Sequence, residues 1–416
     1  MISRYQLKCH GCGEAFVARL GVEPTRSTRF YLPCPHCALP IRGSMSGTEL
    51  DNHRIDIECE VLSGSVEESP DARVVTVNPF VPSRYDADSF TPLGSFPTMT
   101  LVQALGDDAF MEFHSERNAA LRVGQELWPK VRMLFQYYLQ GNTAMFARIA
   151  QQNGLTWQPS TSHERTSIAY QFLGQATTVM TGTTGTTSAK VMGRFLRKHS
   201  AASERNREYI LTIRRRGQSL GNLERDVFTE LNRFAENHES WEMGLLGRFF
   251  ETDSKSAFEE LVLFRDEFSL VRDLYQQGFE LACKCLWPLV AAQNSLKRGN
   301  PDDFGDVHPD RIPVKQRPTS LDKFNKISAA YKIAYVAQVP GWESFESLLN
   351  SSRRNTIGHG TAHHDLQTGR IVSDKSPSGL TYLEFLGEVL GVFEALSTLS
   401  QVIRSSRVAS SPDFNL

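Results

Sequence analysis

Two closely spaced cysteine pairs near the N-terminus constrain this chain more than any other feature. Cys9 and Cys12 form the first pair, Cys34 and Cys37 form the second, and residues 13–33 separate them. Each C-x-x-C pair presents two thiolates from one tight turn, and two such turns complete a tetrahedral site with four sulfur ligands. Because protein atoms would fill all four positions, we predict a structural Zn²⁺ ion with no open position for a substrate.

The residues that flank these cysteines indicate β-structure. Apolar residues alternate with polar ones before each pair, as in short strands. They are Tyr5, Leu7, Phe30 and Leu32. The C-x-x-C-G and C-P-x-C knuckles resemble the zinc-ribbon family, which implies a zinc ribbon over residues 1–58. A redox-active C-x-x-C motif and an iron–sulfur centre are the alternatives to zinc.

Composition favours a cytoplasmic protein with more than one domain. The chain has 416 residues, 40% of them hydrophobic, which is enough for two or three cores. Its formal net charge is -2, so any nucleic-acid contact must come from a local patch. Apolar runs are shorter than the roughly 20 residues of a membrane span, and the N-terminus lacks the apolar core of a signal peptide. The odd total of seven cysteines argues against a disulfide framework.

Changes in composition suggest the order of domains. We expect a mostly α fold, with a small N-terminal β zinc ribbon followed by a large α-helical body that ends in a helical bundle. Residues 59–98 are rich in proline and serine and are predicted to form a linker with some order, in which the strand-like run RVVTV at 73–77 could pair locally. Residues 99–224 would form a helical domain of unknown type, residues 225–405 a second helical domain, and residues 406–416 a polar tail.

Apolar spacings of three and four residues predict long helices in the body. Two of them should cover residues 222–250 and 256–296. Pro129 should bend or split a helical stretch at 117–150. Near the C-terminus, the segments GRIVS and LTYLEF suggest a small hairpin before the last helix. Cys283 and Cys285 lie in an apolar helical stretch and are predicted to be buried, inert thiols.

A basic stretch covers residues 194–216, with eight lysines and arginines against two glutamates. Such a run is either a solvated helix face or a stripe that follows an RNA backbone. If the stretch contacts RNA, Arg353 near the C-terminus would add to the contacts. The candidate contact residues are then Arg197, Lys198, Arg214, Arg215 and Arg216 from the basic stretch, together with Arg353.

The segment SSRRNTIGHGTAHHD carries the most chemically suggestive residues of the chain. Asn355 and His359 are four residues apart and would share one face of a helix, which Gly358 and Gly360 would end. A histidine at a helix C-terminus is favoured in its charged form and can transfer a proton near neutral pH. Arg354 can hold a phosphate through two parallel hydrogen bonds.

The run from Arg354 to Gly360 fits the pattern R-N-x-x-x-H-G and resembles the HEPN family of helical bundles over residues 225–405. The resemblance implies metal-independent cleavage of RNA by transesterification, with catalytic roles for Arg354, Asn355 and His359 and no catalytic cofactor. It also implies a homodimer with one composite RNA site, and an effector role as a toxin or in antiviral defence or stress.

Other interpretations of this segment remain open. It could be an ordinary helix C-cap with exposed basic residues. On an unbroken helix, a cluster of three histidines and one aspartate could bind a metal ion; its members are His359, His363, His364 and Asp365. A non-catalytic alternative is a dimeric scaffold that binds RNA or protein. In either function, we expect the zinc ribbon to act as a targeting or sensing module that binds nucleic acid or a protein trigger.

Overall fold

The chain folds into a small N-terminal β region followed by a large helical body. A computed structural model describes the following residues: 1–47, 53–62, 73–84, 96–182, 204–251, 255–306, 308–343, 345–358, 362–374 and 376–411. Helices account for 58% of the structure. The predicted fold class, mostly α with an N-terminal β module, is therefore confirmed.

The described strands form four small sheets, with the orders β6-β1-β2-β7, β3-β4-β5, β10-β11-β12 and β8-β9. Their bounds are β1 Ile2–Lys8, β2 Ala15–Gly21, β3 Thr25–Pro33, β4 Pro40–Gly47, β5 Arg54–Ile57, β6 Glu60–Leu62, β7 Val74–Val77, β8 Ser83–Arg84, β9 Leu261–Val262, β10 His363–Asp365, β11 Arg370–Ser373 and β12 Ser376–Thr381. Strands β11 and β12 form an antiparallel hairpin, to which β10 adds a third strand. The first strand matches the predicted GRIVS segment, but the second is Ser376–Thr381, and most of the predicted LTYLEF strand belongs to the last helix.

Two β-hairpins carry the cysteine pairs at their turns. Strand β1 pairs with β2 in antiparallel register, and β3 pairs with β4 in the same way. The inward faces of these strands supply a fully buried core that includes Leu7, Phe16 and Phe30. Because both turns lie directly beyond paired strands, the cysteines are held by backbone that is already fixed.

Segments far from the N-terminus in sequence complete this β region. Strand β7 runs parallel to β2, and β8 pairs with β9. The Tyr31 amide donates to the Phe264 carbonyl, and the Asp266 amide donates to the Arg29 carbonyl. Part of the segment predicted to be a linker is thus a paired strand, and β9 lies inside the stretch predicted as one helix.

The prediction of a continuous helix over residues 256–296 is wrong. A short helix, Lys255–Glu259, precedes β9, and helices Phe268–Lys284 and Trp287–Arg298 follow it. The apolar run LVLF at 261–264 fits a helical pattern as well as a strand. Hydrogen bonds to β8 and β3 stabilise the extended conformation of this run, because tertiary contacts override a weak local preference.

The helix predicted over residues 222–250 is also interrupted, because Gly217–Glu236 is followed by the short segments His238–Trp241 and Glu242–Arg248. Asp107–Arg122 continues through a π-helical turn, Val123–Leu127, into Trp128–Gln140, so the regular α-helix is interrupted directly before Pro129. The remaining helices of more than one turn are Pro97–Leu105, Thr143–Gln152, Ser162–Met180, Glu204–Arg215, Gly217–Glu236, Ala329–Ala337, Ser351–Gly358 and Tyr382–Ser410. Shorter helical turns are His238–Trp241, Glu242–Arg248, Val314–Gln316, Leu321–Phe324 and Phe345–Leu348.

The chain divides into two compact units, each built from three separate stretches. The first contains Met1–Ser115, Glu239–Asp273 and Asn355–Val389, and the second contains Glu116–His238, Leu274–Arg354 and Leu390–Leu416. The division into domains predicted from composition, with boundaries after residues 58, 98 and 224, stays a prediction. Composition reflects local sequence, whereas strand pairing joins stretches that are distant along the chain.

Each unit has its own core. In the first, Phe264 and Leu366 join the buried side chains of the N-terminal hairpins. In the second, the rings of Phe135 and Phe228 stack at 4.3 Å, and Phe234 contacts Phe393. These aromatic contacts bring helices from distant parts of the sequence together in one bundle.

The last helix, Tyr382–Ser410, is long and apolar enough by composition to cross a membrane. However, 78% of its most apolar window is buried inside the protein. Burial of that kind is typical of a core helix, whose apolar face is covered by protein and not by lipid.

Candidate metal centre and nucleic-acid interface

The four N-terminal cysteines converge as predicted. All four Sγ atoms lie within 4.8 Å of one another. The Sγ atoms of Cys9 and Cys37 are 3.7 Å apart, and those of Cys12 and Cys34 are 3.8 Å apart. A tetrahedral zinc site with Zn–S bonds of about 2.3 Å has sulfur–sulfur edges of about 3.8 Å. The residues present therefore fit a structural metal ion with four thiolate ligands.

The two knuckles have nearly the same backbone geometry. The Gly13 amide donates to the Cys9 carbonyl, and the Ala38 amide donates to the Cys34 carbonyl, each at 2.9 Å. Gly13 and Ala38 each follow the second cysteine of a pair and adopt positive φ angles of 78° and 59°. The second knuckle thus takes a left-handed conformation without the glycine that favours it.

Backbone amides donate to two of the four sulfur atoms. The Gly11 amide donates to Cys9 Sγ at 3.3 Å, and the His36 amide donates to Cys34 Sγ at 3.5 Å. Burial raises the pKa of Cys9, but hydrogen bonds from the Cys12 and Gly11 amides and with the neighbouring thiols bring it down to about 7, whereas burial raises the pKa of Cys34 to about 12. The deprotonated form is the one that binds zinc. His10 and His36, the histidines inside the two knuckles, are exposed.

The helix Ser351–Gly358 carries the first half of the R-N-x-x-x-H-G motif. The guanidinium of Arg354 forms an ion pair and a hydrogen bond with the carboxylate of Glu280 on the helix Phe268–Lys284. The Arg354 side chain remains 29% exposed, and Asn355 is exposed. His359 and Gly360 lie outside the described residues.

A second cationic side chain, Lys332, lies in the same compact unit as Arg354. Lys332 is only 7% exposed. Burial lowers its pKa, and the charge of the nearby Cys283 opposes this decrease. Burial raises the pKa of Cys283 to about 12, and the charges of Lys332 and Arg354 both oppose this rise. Two cations thus lie near one buried thiol. Cys283 and Cys285 are both buried, in agreement with the prediction that they are inert.

The predicted basic contacts occupy different environments. Arg214 donates to the Ser411 carbonyl, and Arg216 pairs with Asp322 at 2.8 Å. Arg216 also lies over the ring of Trp287. Arg215 is mostly exposed, with its side chain 71% accessible. Arg353 is partly buried, whereas Arg197 and Lys198 lie outside the described residues.

The histidine cluster of the alternative metal site is not on a helix. His363, His364 and Asp365 form strand β10, so successive side chains point to opposite faces. His364 stacks on Tyr382 with ring centroids 4.7 Å apart and contacts the edge of Tyr31. Burial lowers the pKa of His364 to about 4 despite the neighbouring aspartates. His364 is therefore a partly buried side chain packed between aromatic rings, which favours its neutral form.

Comparisons of the chain with family models, with curated proteins and with solved structures find no match. Residue-level geometry therefore carries the functional argument. Sequence reasoning did not find Glu280, because a glutamate on an amphipathic helix gives no signal of its partner. Lys332 did leave a signal, as the lone charge in the apolar run AAYKIAYVA.

Proposed function

We propose that this chain is a metal-independent endoribonuclease of the HEPN type that acts in the cytoplasm as a homodimer. The proposal rests on the motif at residues 354–360. The observation that carries it furthest is the Arg354–Glu280 pair, because a carboxylate on a neighbouring helix fixes the direction of a partly exposed guanidinium. A preorganised cation of this kind stabilises the charge that develops on a phosphate.

The reaction would use the RNA 2′-hydroxyl as nucleophile. Its oxygen attacks the adjacent phosphorus, the bond from phosphorus to the 5′-oxygen breaks, and the products carry 2′,3′-cyclic phosphate and 5′-hydroxyl ends. Arg354 and Asn355 would hold the phosphate, and His359 would transfer a proton in this exchange. Lys332 would add positive charge nearby. The chemistry needs no catalytic metal because RNA supplies its own nucleophile.

The N-terminal module would have a different task. With four thiolates around Zn²⁺, the site offers no position for a substrate and would act structurally. We propose that this module recognises nucleic acid or a protein trigger, and that the helical unit is the effector. Together they would form a toxin or a defence effector whose substrate is RNA.

The arginine and its carboxylate partner can be tested with a matched control. We expect Arg354→Ala to reduce cleavage of purified RNA by about 10² or more, as does loss of a transition-state donor. Glu280→Gln keeps the shape of the side chain but weakens the ion pair, so we expect a smaller loss, about tenfold. Arg311→Ala breaks another half-exposed arginine–glutamate pair, with Glu346, and should leave cleavage unchanged.

Three results would contradict the proposed roles of these residues, and the first of them would favour the non-catalytic scaffold. The wild type could leave RNA intact, all variants could cleave equally, or Arg311→Ala could impair cleavage as strongly as Arg354→Ala. The last result would show that the variants act through general loss of structure. Circular dichroism of each variant separates lost chemistry from lost fold.

A further inference from the structure

A polar cleft lies within the second compact unit and is not part of the site described above. Its volume is about 310 Å³, at the lower end of the range of small-ligand sites. The helices Trp128–Gln140, Thr143–Gln152, Ser162–Met180, Gly217–Glu236 and Tyr382–Ser410 contribute residues to its wall. Convergence of several helices on one cavity provides a rigid frame for a ligand.

A buried carboxylate organises one wall of this cleft. Glu224 is 3% exposed, and its Oε1 accepts hydrogen bonds from the hydroxyls of Tyr138 at 2.9 Å and Tyr170 at 3.0 Å. Its Oε2 pairs with Arg407 Nε at 3.1 Å. Both carboxylate oxygens are thus engaged. The network fixes Arg407, whose side chain remains 37% exposed, at the edge of the cleft.

The cleft carries more positive than negative charge. Three arginines line it, Arg165, Arg225 and Arg407, against the single carboxylate of Glu224. Arg225 is exposed, and it makes no hydrogen bond or ion pair with the described part of the chain. Arg407 pairs with Glu224 and Arg165 donates to the Ser160 carbonyl, which leaves the lining with an excess of two positive charges. The wall therefore suits a ligand with a concentrated negative charge.

Two further features define the ligand more closely. The first residues of the helices Thr143–Gln152 and Ser162–Met180 line the cleft, and the helix dipoles favour a phosphate group there. Side chains already cap one amide at each end, because Asn142 accepts from the Met145 amide and Thr161 accepts from the Glu164 amide. The partly exposed ring of Tyr137 also lines it and offers a face on which a planar group can stack. Arginine forks match phosphate oxygens in geometry as well as in charge.

We propose that this cleft binds a small phosphorylated ligand with a planar ring, no larger than a nucleoside monophosphate. Arg165, Arg225 and Arg407 hold its phosphate, and Tyr137 contacts its ring. The inference does not depend on RNA cleavage, because it concerns a separate set of residues and a different class of ligand.

The test measures binding of AMP to the full chain by isothermal titration calorimetry, with pyrophosphate and adenosine as the second and third probes. Wild type should bind AMP and pyrophosphate, and should bind adenosine at least tenfold more weakly than AMP. Arg225→Ala and Arg165→Ala should each weaken AMP binding at least tenfold. Arg148→Ala removes an exposed arginine of the helix Thr143–Gln152 that does not line the cleft, and should bind AMP like the wild type.

Four results would overturn the proposal. Wild type could bind neither AMP nor pyrophosphate, adenosine could bind as tightly as AMP, or both cleft variants, Arg225→Ala and Arg165→Ala, could bind AMP like the wild type. The fourth result is that the cleft variants weaken binding of a short RNA oligonucleotide while AMP binds to none of the proteins, which would assign the cleft to RNA. Arg225 is exposed and has no described partner, so its replacement should preserve the fold, which circular dichroism verifies.

Discussion

At the scale of single residues, the cysteine cluster shows how little freedom the metal site has. The Sγ separations of 3.7 and 3.8 Å match the edges of a zinc tetrahedron. Cys59 lies close by, but its Sγ donates to the Lys8 carbonyl at 2.7 Å and it is not one of the four clustered thiols. Zinc binding should therefore depend on the four clustered cysteines and not on Cys59.

This assignment predicts opposite behaviour for two serine variants. Cys34→Ser should lower zinc affinity by more than about 100-fold, because loss of even an outer-shell partner typically costs 10–100-fold. Cys59→Ser should retain one zinc ion per chain. Metal analysis of the purified proteins, with a chelator competition for affinity, measures the difference. Zinc loss in Cys59→Ser, or full retention in Cys34→Ser, would contradict the assigned ligands.

His364 predicts how stability depends on pH. Its pKa is about 4 in the folded protein and about 6.5 when exposed. The unfolded chain thus binds more protons between these values, and folding stability falls as pH drops from about 6.5 to 4, by about 3 kcal/mol at most. His364→Phe should flatten this dependence in urea unfolding at pH 7, 6 and 5. As a control, His363→Gln alters the exposed neighbouring histidine and should keep the pH dependence of the wild-type unfolding free energy. The same pH dependence in all three proteins would show that His364 is not its source.

At the scale of elements, a buried arginine anchors the extended segment after β9. Arg265 is 0% exposed, donates Nε to the Pro79 carbonyl at 2.7 Å and pairs with Glu242 at 3.2 Å. Glu267 lies 3.8 Å from the same guanidinium. Burial raises the pKa of Glu267 to about 7, against the attraction of Arg265. Removing the arginine would leave buried carboxylates without their cation.

We therefore expect Arg265→Met to lower the free energy of unfolding by about 3–5 kcal/mol, the usual result of breaking a buried ion pair from one side. Arg42 pairs with the adjacent Asp266 at 2.8 Å but is 56% exposed. Arg42→Ala should cost less than about 1 kcal/mol, as is typical of surface pairs. Denaturant unfolding of both variants gives the comparison, and similar losses in the two would show that burial does not matter here.

The sequence predicted these elements unevenly, for physical reasons. The C-x-x-C spacing determines local geometry, so the metal site could be predicted from the residues alone. The irregular turn before Pro129 and the first strand of the C-terminal hairpin also follow from local sequence, whereas the predicted second strand, LTYLEF, is mostly helix. The strand at Leu261–Val262 was not, because its apolar run is compatible with a helix and only its partner β8 decides. Glu280 was missed for the same reason, since its role depends on a residue 74 positions away.

At the scale of the whole molecule, sequence order and spatial organisation differ. Each compact unit combines stretches from the beginning, middle and end of the chain. The boundary between the units passes through the helix Ser351–Gly358, between Arg354 and Asn355. A truncation at residue 58, 98 or 224 would therefore cut through a unit. For this reason, the functional tests use the full chain.

The central claim is that the full chain cleaves RNA without a catalytic metal, and the product ends test it most directly. Purified protein is incubated with end-labelled RNA without added divalent ions, with its zinc content checked. We predict 2′,3′-cyclic phosphate and 5′-hydroxyl ends from the wild type, and no product above background from His359→Ala. Intact RNA, equal cleavage by both proteins, or cleavage that requires Mg²⁺ or Mn²⁺ and leaves 5′-phosphates would contradict the claim.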